Sequence, residues 1–345
     1  MSSIKDVAEL AGVSVKTVSR ILGGFEGVSP RTRERVQEAM NRLEYYPSAA
    51  AQSLRGKETG LVSLITDHLT TTPDAYEIVA GIQSVCERHG KLLLIGETGG
   101  SDKNFQSLVE DFRRQRAQAI IFATMYHREV EIKQSFERCP LILLNCFDAH
   151  SGYPSIVPDD EQGAFDATEH LLARGHKRIA FLTLFEDMPA TPLRTRGYRR
   201  AHEQRGIEID PSLVVAGVFR DPEDEFSGLE ARLKALLDGP DAPSAILCGN
   251  DKMAMRVYMQ AITLGFRVPG DLSIVGYDNY RMIAENLVPK LTTVSLPYFR
   301  MGELAAELAI GDQTEPGELK NGKRQKQKQF RIGGDLIVRG STGFR

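Results

Sequence analysis

Cysteine is scarce and unpaired. The four, Cys86, Cys139, Cys146 and Cys248, include no Cys-x-x-Cys, and each lies in or beside an apolar run. That pattern reads as buried free thiols in a reducing compartment. No apolar run approaches the ~18 residues of a membrane span. No signal-peptide pattern opens the chain, so the expected location is the cytoplasm, with no membrane partner. Catalytic signatures are lacking too. Gly96-Glu-Thr-Gly-Gly100 is glycine-rich but has no phosphate-loop lysine. There is no Gly-x-Ser-x-Gly elbow and no His-Glu-x-x-His, and the seven histidines are scattered. The expectation is no enzyme, no cofactor and no metal.

A strong charge of one sign is also missing, since the net charge is −3. The balance is uneven along the chain. Residues 1–60 hold nine Lys/Arg against seven Asp/Glu, and the remainder carries an acidic excess. A mildly basic N-terminal piece on an acidic body suits a DNA reader attached to something else.

What is present begins with Ile4–Leu22, which reads as two short helices about a tight turn. Val7, Ala8, Leu10 and Ala11 supply an apolar stripe at helical spacing, and Ser3 with Asp6 forms a capping-box pattern. Gly12 ends the first helix. Ser14 caps a second, in which Val18, Ile21 and Leu22 face inward. This is the helix-turn-helix plan, whose second helix enters the DNA major groove. Ser29-Pro30 starts a third helix with a core stripe of Val36, Ala39, Met40 and Leu43. After Tyr45-Tyr46-Pro47 comes Ser48–Lys57, alanine-rich but too short to be a stable helix alone.

From Gly60 short apolar strands alternate with amphipathic helices. Strands are expected at Leu61–Ile65, Lys91–Ile95, Ala119–Ala123 and Leu141–Asn145, with helices at Asp74–His89, Ser101–Gln115 and from Ala123 to Arg138. The rhythm restarts with a helix at Asp160–Arg174, strands at Arg178–Thr183, near Val214, at Ala245–Cys248 and at Leu272–Tyr277, and helices between them. Thr292–Ser295, Tyr298–Ile310 and Asp335–Ser341 are a strand, a helix and a strand. Such alternation predicts parallel sheets covered on both faces, in two similar lobes. Parallel sheets bind ligands at the C-terminal ends of their strands, so a cleft between the lobes is the expected site.

The chain resembles the LacI/GalR family of bacterial transcriptional regulators. The motifs that carry the likeness are Ile4-x-Asp-Val-Ala-x-x-Ala-Gly-Val-Ser-x-x-Thr-Val-Ser-Arg20, Arg33-x-Arg-Val36 and Leu43-x-Tyr-x-Pro47. In the body they are His170–His176, Arg194-x-x-Gly197, Asn250-Asp251, Val275-Gly-Tyr-Asp278, Pro289-x-Leu-Thr-Thr293 and Leu336-x-Val-Arg-Gly-Ser341. The resemblance implies an α/β protein: a small all-α helix-turn-helix headpiece (1–46), a hinge helix (47–59) and a two-lobed body (60–345) like periplasmic sugar-binding proteins. It implies three crossings between lobes, giving a first lobe of about 60–158 plus 293–322 and a second of about 159–292 plus 323–341.

For the headpiece, the resemblance places Val15, Lys16 and Arg20 on the exposed face of the recognition helix. Lys16 and Arg20 are four apart and share a face. Either can donate to guanine O6 and N7, while Val15 offers only apolar contact. Thr17 and Ser19, with Ser14 and the amides at the helix start, are assigned to phosphates. In the hinge, Leu54 matches a leucine that wedges into the minor groove. Ala51 is small enough for close helix approach, and Arg55 adds a phosphate contact. Ser48 stands where asparagine is usual and can still cap the hinge helix.

For the effector, Arg194 and Asp278 match cleft-facing positions, with Asn250 nearby at a strand-to-helix junction. Asp67, Tyr76 and Asp159 are softer carry-overs. Carboxylate, amide and guanidinium groups together suit a sugar. Asp251 is expected to cap a helix; Phe185 or Tyr126 could stack on a sugar ring, with core packing the expected role for each. The implied function is a homodimeric repressor of carbohydrate-utilisation genes, released from a palindromic double-stranded DNA operator by a small sugar-like inducer. A non-sugar effector such as a nucleobase or a phosphorylated intermediate, or a corepressor or activating mode, is the alternative.

Overall fold

The structure is a computed structural model that describes residues 2–23, 25–45, 59–69, 75–137, 139–221, 223–311 and 329–345. It divides into two compact units, Met1–Leu61 and Val62–Arg345.

The first unit contains helices α1 (Ile4–Leu10), α2 (Val15–Leu22) and α3 (Pro30–Arg42). The caps follow the residue types. Asp6 N–H donates to Ser3 Oγ, and Ser3 N–H donates back to the Asp6 carboxylate at 2.7 Å. Gly12 adopts φ +61° and ends α1; a Cβ there would meet Arg35 Nη2 at 2.7 Å. Ser14 Oγ accepts from Thr17 N–H at 3.1 Å to start α2, and Ser29 does the same for α3. The core is Val7, Ala8, Ala11, Val18, Val36, Ala39 and Met40, with Ile21, Leu22 and Leu43 packed against it. Leu10 departs from the expected stripe and is 43% exposed. At 100° per residue it falls about 100° round the helix from the centre of the face that buries Val7, Ala8 and Ala11.

The second unit holds two six-stranded sheets. The first comprises β1 (Leu61–Thr66), β2 (Leu92–Glu97), β3 (Ala119–Glu129), β4 (Leu141–Phe147), β5 (Ser155–Pro158) and β11 (Gln329–Ile332), in the order β11-β5-β4-β3-β1-β2. The second comprises β6 (Ile179–Thr183), β7 (Val214–Ala216), β8 (Ala245–Cys248), β9 (Ser273–Asp278), β10 (Thr292–Ser295) and β12 (Leu336–Ile337), in the order β12-β10-β9-β8-β6-β7. Both sheets pair parallel wherever the register is defined, except β10 with β12. Strands buried on both faces, such as β1, β3, β4, β6 and β8, explain their continuous apolar runs, whereas the edge strand β2 leaves Leu92 71% exposed.

Two expectations change here. Thr292–Ser295 pairs with β9 and so belongs to the second lobe, while Gln329–Ile332 pairs with β5 in the first. The return crossings therefore fall between Ser295 and Tyr298 and between Ile332 and Leu336, not near 293 and 323. The expected helix from Ala123 to Arg138 is also absent among the described residues. Strand β3 runs on to Glu129 past a register shift between Ala123 and Arg128. The Asp67 carboxylate accepts from Met125 N–H at 3.0 Å and Thr124 Oγ1 donates to Asn145 O at 2.9 Å, which holds this extension against its neighbours.

Each lobe brings two helices together at glycines. Helix α4 (Ala75–Arg88) crosses α11 (Tyr298–Ile310) where a Cβ on Gly81 would lie 2.1 Å from Phe299 O, and one on Gly302 2.4 Å from Ile78 O. Helix α6 (Asp160–Ala173) crosses α7 (Ala190–Arg205) where a Cβ on Gly197 would lie 2.1 Å from Glu161 O. The four cysteines are free and buried, and burial pushes the Cys146 thiol up to about 12.

Candidate nucleic-acid interface and effector cavity

The amphipathic pattern of α2 sets its outer face. Val18 is fully buried, whereas Ser14, Val15, Lys16 and Arg20 are exposed and Thr17 and Ser19 half-buried. Val15, at 41% exposure, is an apolar side chain with no core role. Ser14 and Thr17 engage each other as well as the cap, their hydroxyls 2.9 Å apart. The Arg20 guanidinium lies 5.3 Å from the centre of the Phe25 ring, itself 52% exposed, and Arg33 donates to Phe25 O at 3.0 Å. Phe25, not singled out from sequence, thus braces one of the candidate base readers. Ala51, Leu54 and Arg55 lie outside the described residues, as do Ser48 and most of the hinge.

In the body, a cavity of about 490 Å³ lies between the two lobes. It sits at the C-terminal ends of the strands, where β3, β4, β5 and β9 end and where β6 and β8 pass into their loops. Arg194, Asn250 and Asp278 all line it, together with Met125–Arg128, Asn145, Phe185, Arg220, Lys252 and Tyr280. Its volume falls in the usual range for small-ligand sites.

Arg194 is 5% exposed and tightly held. Its Nε and Nη2 lie 2.7 Å from Asp160 Oδ1, its Nη1 donates to Gly249 O at 2.5 Å, and its guanidinium stacks 3.5 Å from the Tyr277 ring centre. The second Asp160 oxygen lies 2.9 Å from His127 Nδ1. Asp160 and Arg194 belong to the second lobe and His127 to the first, so this buried chain spans the cleft. Burial alone would raise the Asp160 carboxyl, but the Arg194 charge and the His127 hydrogen bond outweigh it and hold the group below the ordinary carboxylate range. Burial would likewise lower Arg194, and the Asp160 carboxylate instead raises it.

Asn250, not Asp251, caps helix α9 (Asp251–Thr263), accepting from Met253 N–H at 2.8 Å. Its amide nitrogen is then the group it can present to the cavity. Asp251 is fully buried, accepts from Thr293 Oγ1 at 2.6 Å and from Tyr280 N–H at 2.7 Å, and occupies the space that a Cβ on Gly276 would need. Two lining residues carry backbone strain: Asn145 has φ +56° and Asp278 φ +113°. Strain of this kind in residues with a Cβ persists where the surroundings over-determine it, and it clusters at binding sites.

Three softer candidates fall elsewhere. Asp67 is 3% exposed; it accepts from His68 and Met125 N–H and meets Arg128 at 3.1 Å, acting behind the wall. Tyr76 is 55% exposed on the first turn of α4 and is not among the lining residues. Asp159 caps α6 by accepting from Gln162 N–H at 3.1 Å and borders a smaller neighbouring cavity. Tyr126 and Phe185, expected in the core, instead face the cavity, although Phe185 also packs on the second-lobe core.

Comparison with known proteins bears on both sites. Residues 3–48 match the model of "Bacterial regulatory proteins, lacI family", and residues 168–342 match that of a "Periplasmic binding protein-like domain". The ribose operon repressor of Escherichia coli K12 is 31% identical, covering 99% of this chain and 100% of its own. The chain belongs to the lacI family of bacterial regulatory proteins. Two solved structures extend the likeness over its length. The lac repressor dimer bound to operator and the anti-inducer ONPF is 25% identical over 99% of each chain, with TM-score 0.77. The CelR–cellobiose complex is 28% identical over 99% of this chain and all of its own, with TM-score 0.62. Family membership makes the protein a DNA-binding, effector-binding transcriptional regulator.

His127, Asp160, Arg128, Arg220 and Lys252 were not found from sequence. No spacing in the sequence marks them: Met125-Tyr-His-Arg128 alternates in and out only once β3 has formed, with Met125 and His127 buried and Tyr126 and Arg128 exposed.

Proposed function

We propose that this lacI-family protein is a homodimeric repressor of carbohydrate-utilisation genes in the cytoplasm, holding a palindromic operator and releasing it when a small sugar-like inducer fills the cavity between the lobes. The observation that carries the reading is the pairing of two sites in one chain. One is a helix with Val15, Lys16 and Arg20 exposed; the other is an open cavity between the lobes lined by Arg194, Asn250, Asp278 and the aromatics Tyr126, Phe185 and Tyr280. Aromatic faces with a few polar groups suit a sugar ring. The cellobiose complex of one relative and the ribose operon of another point to the same ligand class.

The mechanism is linkage. DNA and inducer favour different arrangements of the lobes, so each weakens the other's binding by the same factor. Two-fold symmetry of the dimer dictates a palindromic site. Leu54 is the wedge that kinks the operator centre, with Ala51 allowing close hinge-helix approach and Arg55 holding a phosphate. The body senses its ligand and does not convert it.

The test is operator-fragment binding by fluorescence anisotropy during titration with neutral mono- and disaccharides, with the recovered sugar analysed for product. A sugar that releases the operator, and is itself bound more weakly in the operator's presence, is expected. Tightening of the operator complex by the sugar would reverse the sign and make it a corepressor. Conversion of the sugar would end the pure-sensor reading.

A further inference from the structure

The cavity holds more cations than the sequence suggested, since Arg128, Arg194, Arg220 and Lys252 all line it. By number they would suit a phosphorylated ligand. Their partners say otherwise. Arg128 lies 3.1 Å from Asp67, Arg194 2.7 Å from Asp160 and Arg220 2.9 Å from Asp187, so each lining arginine has a carboxylate of its own. Lys252 shares the lining with Glu225 and Asp278.

The Arg194 pair decides the matter because it is buried. Asp160 is 0% exposed and cannot be screened by solvent. It engages two of the five guanidinium N–H groups, and Gly249 O takes a third. Two N–H groups remain, but the charge behind them is cancelled at 2.7 Å. A hydroxyl oxygen can accept from such a donor. A phosphate dianion would meet Asp160 just behind it. What two lining residues still lack is also informative: His127 Nε2 and Asn145 Oδ1 are buried with no hydrogen-bond partner. Asn145 Oδ1 can only accept. Asn145 Oδ1 therefore wants a donor, which a ligand hydroxyl supplies.

We infer that the cavity selects an uncharged, hydroxyl-bearing ligand and excludes its phosphorylated counterpart, and that Asp160, acting through Arg194, is the positioning residue that sets this choice. The inference rests on the cavity being the effector site, as proposed above, and removes phosphorylated sugars from the field.

The test uses the full chain and calorimetric titration with glucose, ribose and fructose, each beside its phosphate ester, and with inorganic phosphate. The wild type is expected to bind no ester more tightly than its parent sugar. Asp160→Asn keeps the shape and removes the charge. It is expected to tighten inorganic phosphate and the esters roughly tenfold to a hundredfold, the value of one released charge-assisted interaction. A loss of packing alone would weaken all ligands together and would not change the ratio of ester to sugar. Asp187→Asn at the exposed Arg220 pair should shift the ratio the same way by less, and serves if Asp160→Asn does not fold. A wild type that prefers an ester, or variants that fold and gain nothing for phosphate, would overturn the inference. If no neutral sugar binds, the sugar reading above fails, while the phosphate gain in the variants still decides the role of Asp160.

Discussion

At the scale of single residues, side chains that look alike in sequence have opposite duties. Lys16 and Arg194 are both cations at family-pattern positions. Lys16 is exposed on α2, whereas Arg194 is enclosed by Asp160, Gly249 O and Tyr277. Their charges therefore act differently. Lys16 can donate to a base edge, so Lys16→Met should cost about 1–3 kcal/mol at one base-pair position of the operator and change which base is preferred there. Binding to a set of single-site operator variants measures this. A uniform loss across the set would make Lys16 a phosphate contact. The outer face of α2, with Val15, Lys16 and Arg20 exposed, was legible because a surface helix declares its faces through the 3.6-residue period. The partner of Arg194 was not legible. Asp160 lies 34 positions away on another helix, beside the equally plausible Asp159, and no spacing rule separates them.

At the scale of elements, glycine explains motifs that would otherwise be bare patterns. Gly197 in Arg194-x-x-Gly197 lets α7 reach the backbone of α6, with a Cβ there only 2.1 Å from Glu161 O. The crossing also places Arg194 against Asp160 on the facing helix. Gly197→Ala should therefore destabilise the body by about 3 kcal/mol, the upper end of overpacking. Denaturant unfolding would register it, and an unchanged midpoint would mean that the helices separate without cost. The headpiece should be untouched, since Gly197 belongs to the other unit. Helices α1 to α3 were readable because their caps are local: serine and the amide three residues on. Strand β3 was misread past Ala123 for the opposite reason. Its extension depends on Asp67 and Asn145, 58 and 21 residues away, and not on its own propensity.

At the scale of the whole molecule, the body should be acid-sensitive in a defined window. Burial lowers His170 to about 4, with the Arg174 and His176 charges adding to it, and burial also lowers His176 and His202. The neutral forms are built in: His170 accepts from Arg174 at 3.0 Å and faces Thr342, and His176 faces Ser244 and Gly343 O. A histidine depressed on folding binds its proton more readily in the unfolded chain. Stability is then complete above the ordinary value of 6.5 and is lost as pH falls from there towards about 4. Melting temperature measured across that interval should fall steadily, and His170→Gln should flatten the fall. A flat profile in the native chain would show that these rings are protonated without cost.

The sequence by itself determined the kind of molecule: a helix-turn-helix unit before an α/β body of two lobes, and three of the cavity residues, Arg194, Asn250 and Asp278. The elements rest on short-range periodicity and capping, which are written in neighbouring residues, and the three cavity residues on the resemblance of their motifs to the lacI family. Only the tertiary structure decided which lobe owns Thr292–Ser295 and Gln329–Ile332, because strand membership is a matter of pairing across the chain. It alone joined His127, Asp160 and Arg194 across the cleft and gave each lining arginine its carboxylate. The electrostatic character of a cavity depends on distances of a few ångströms between residues far apart in sequence, and those distances exist only once the chain has folded.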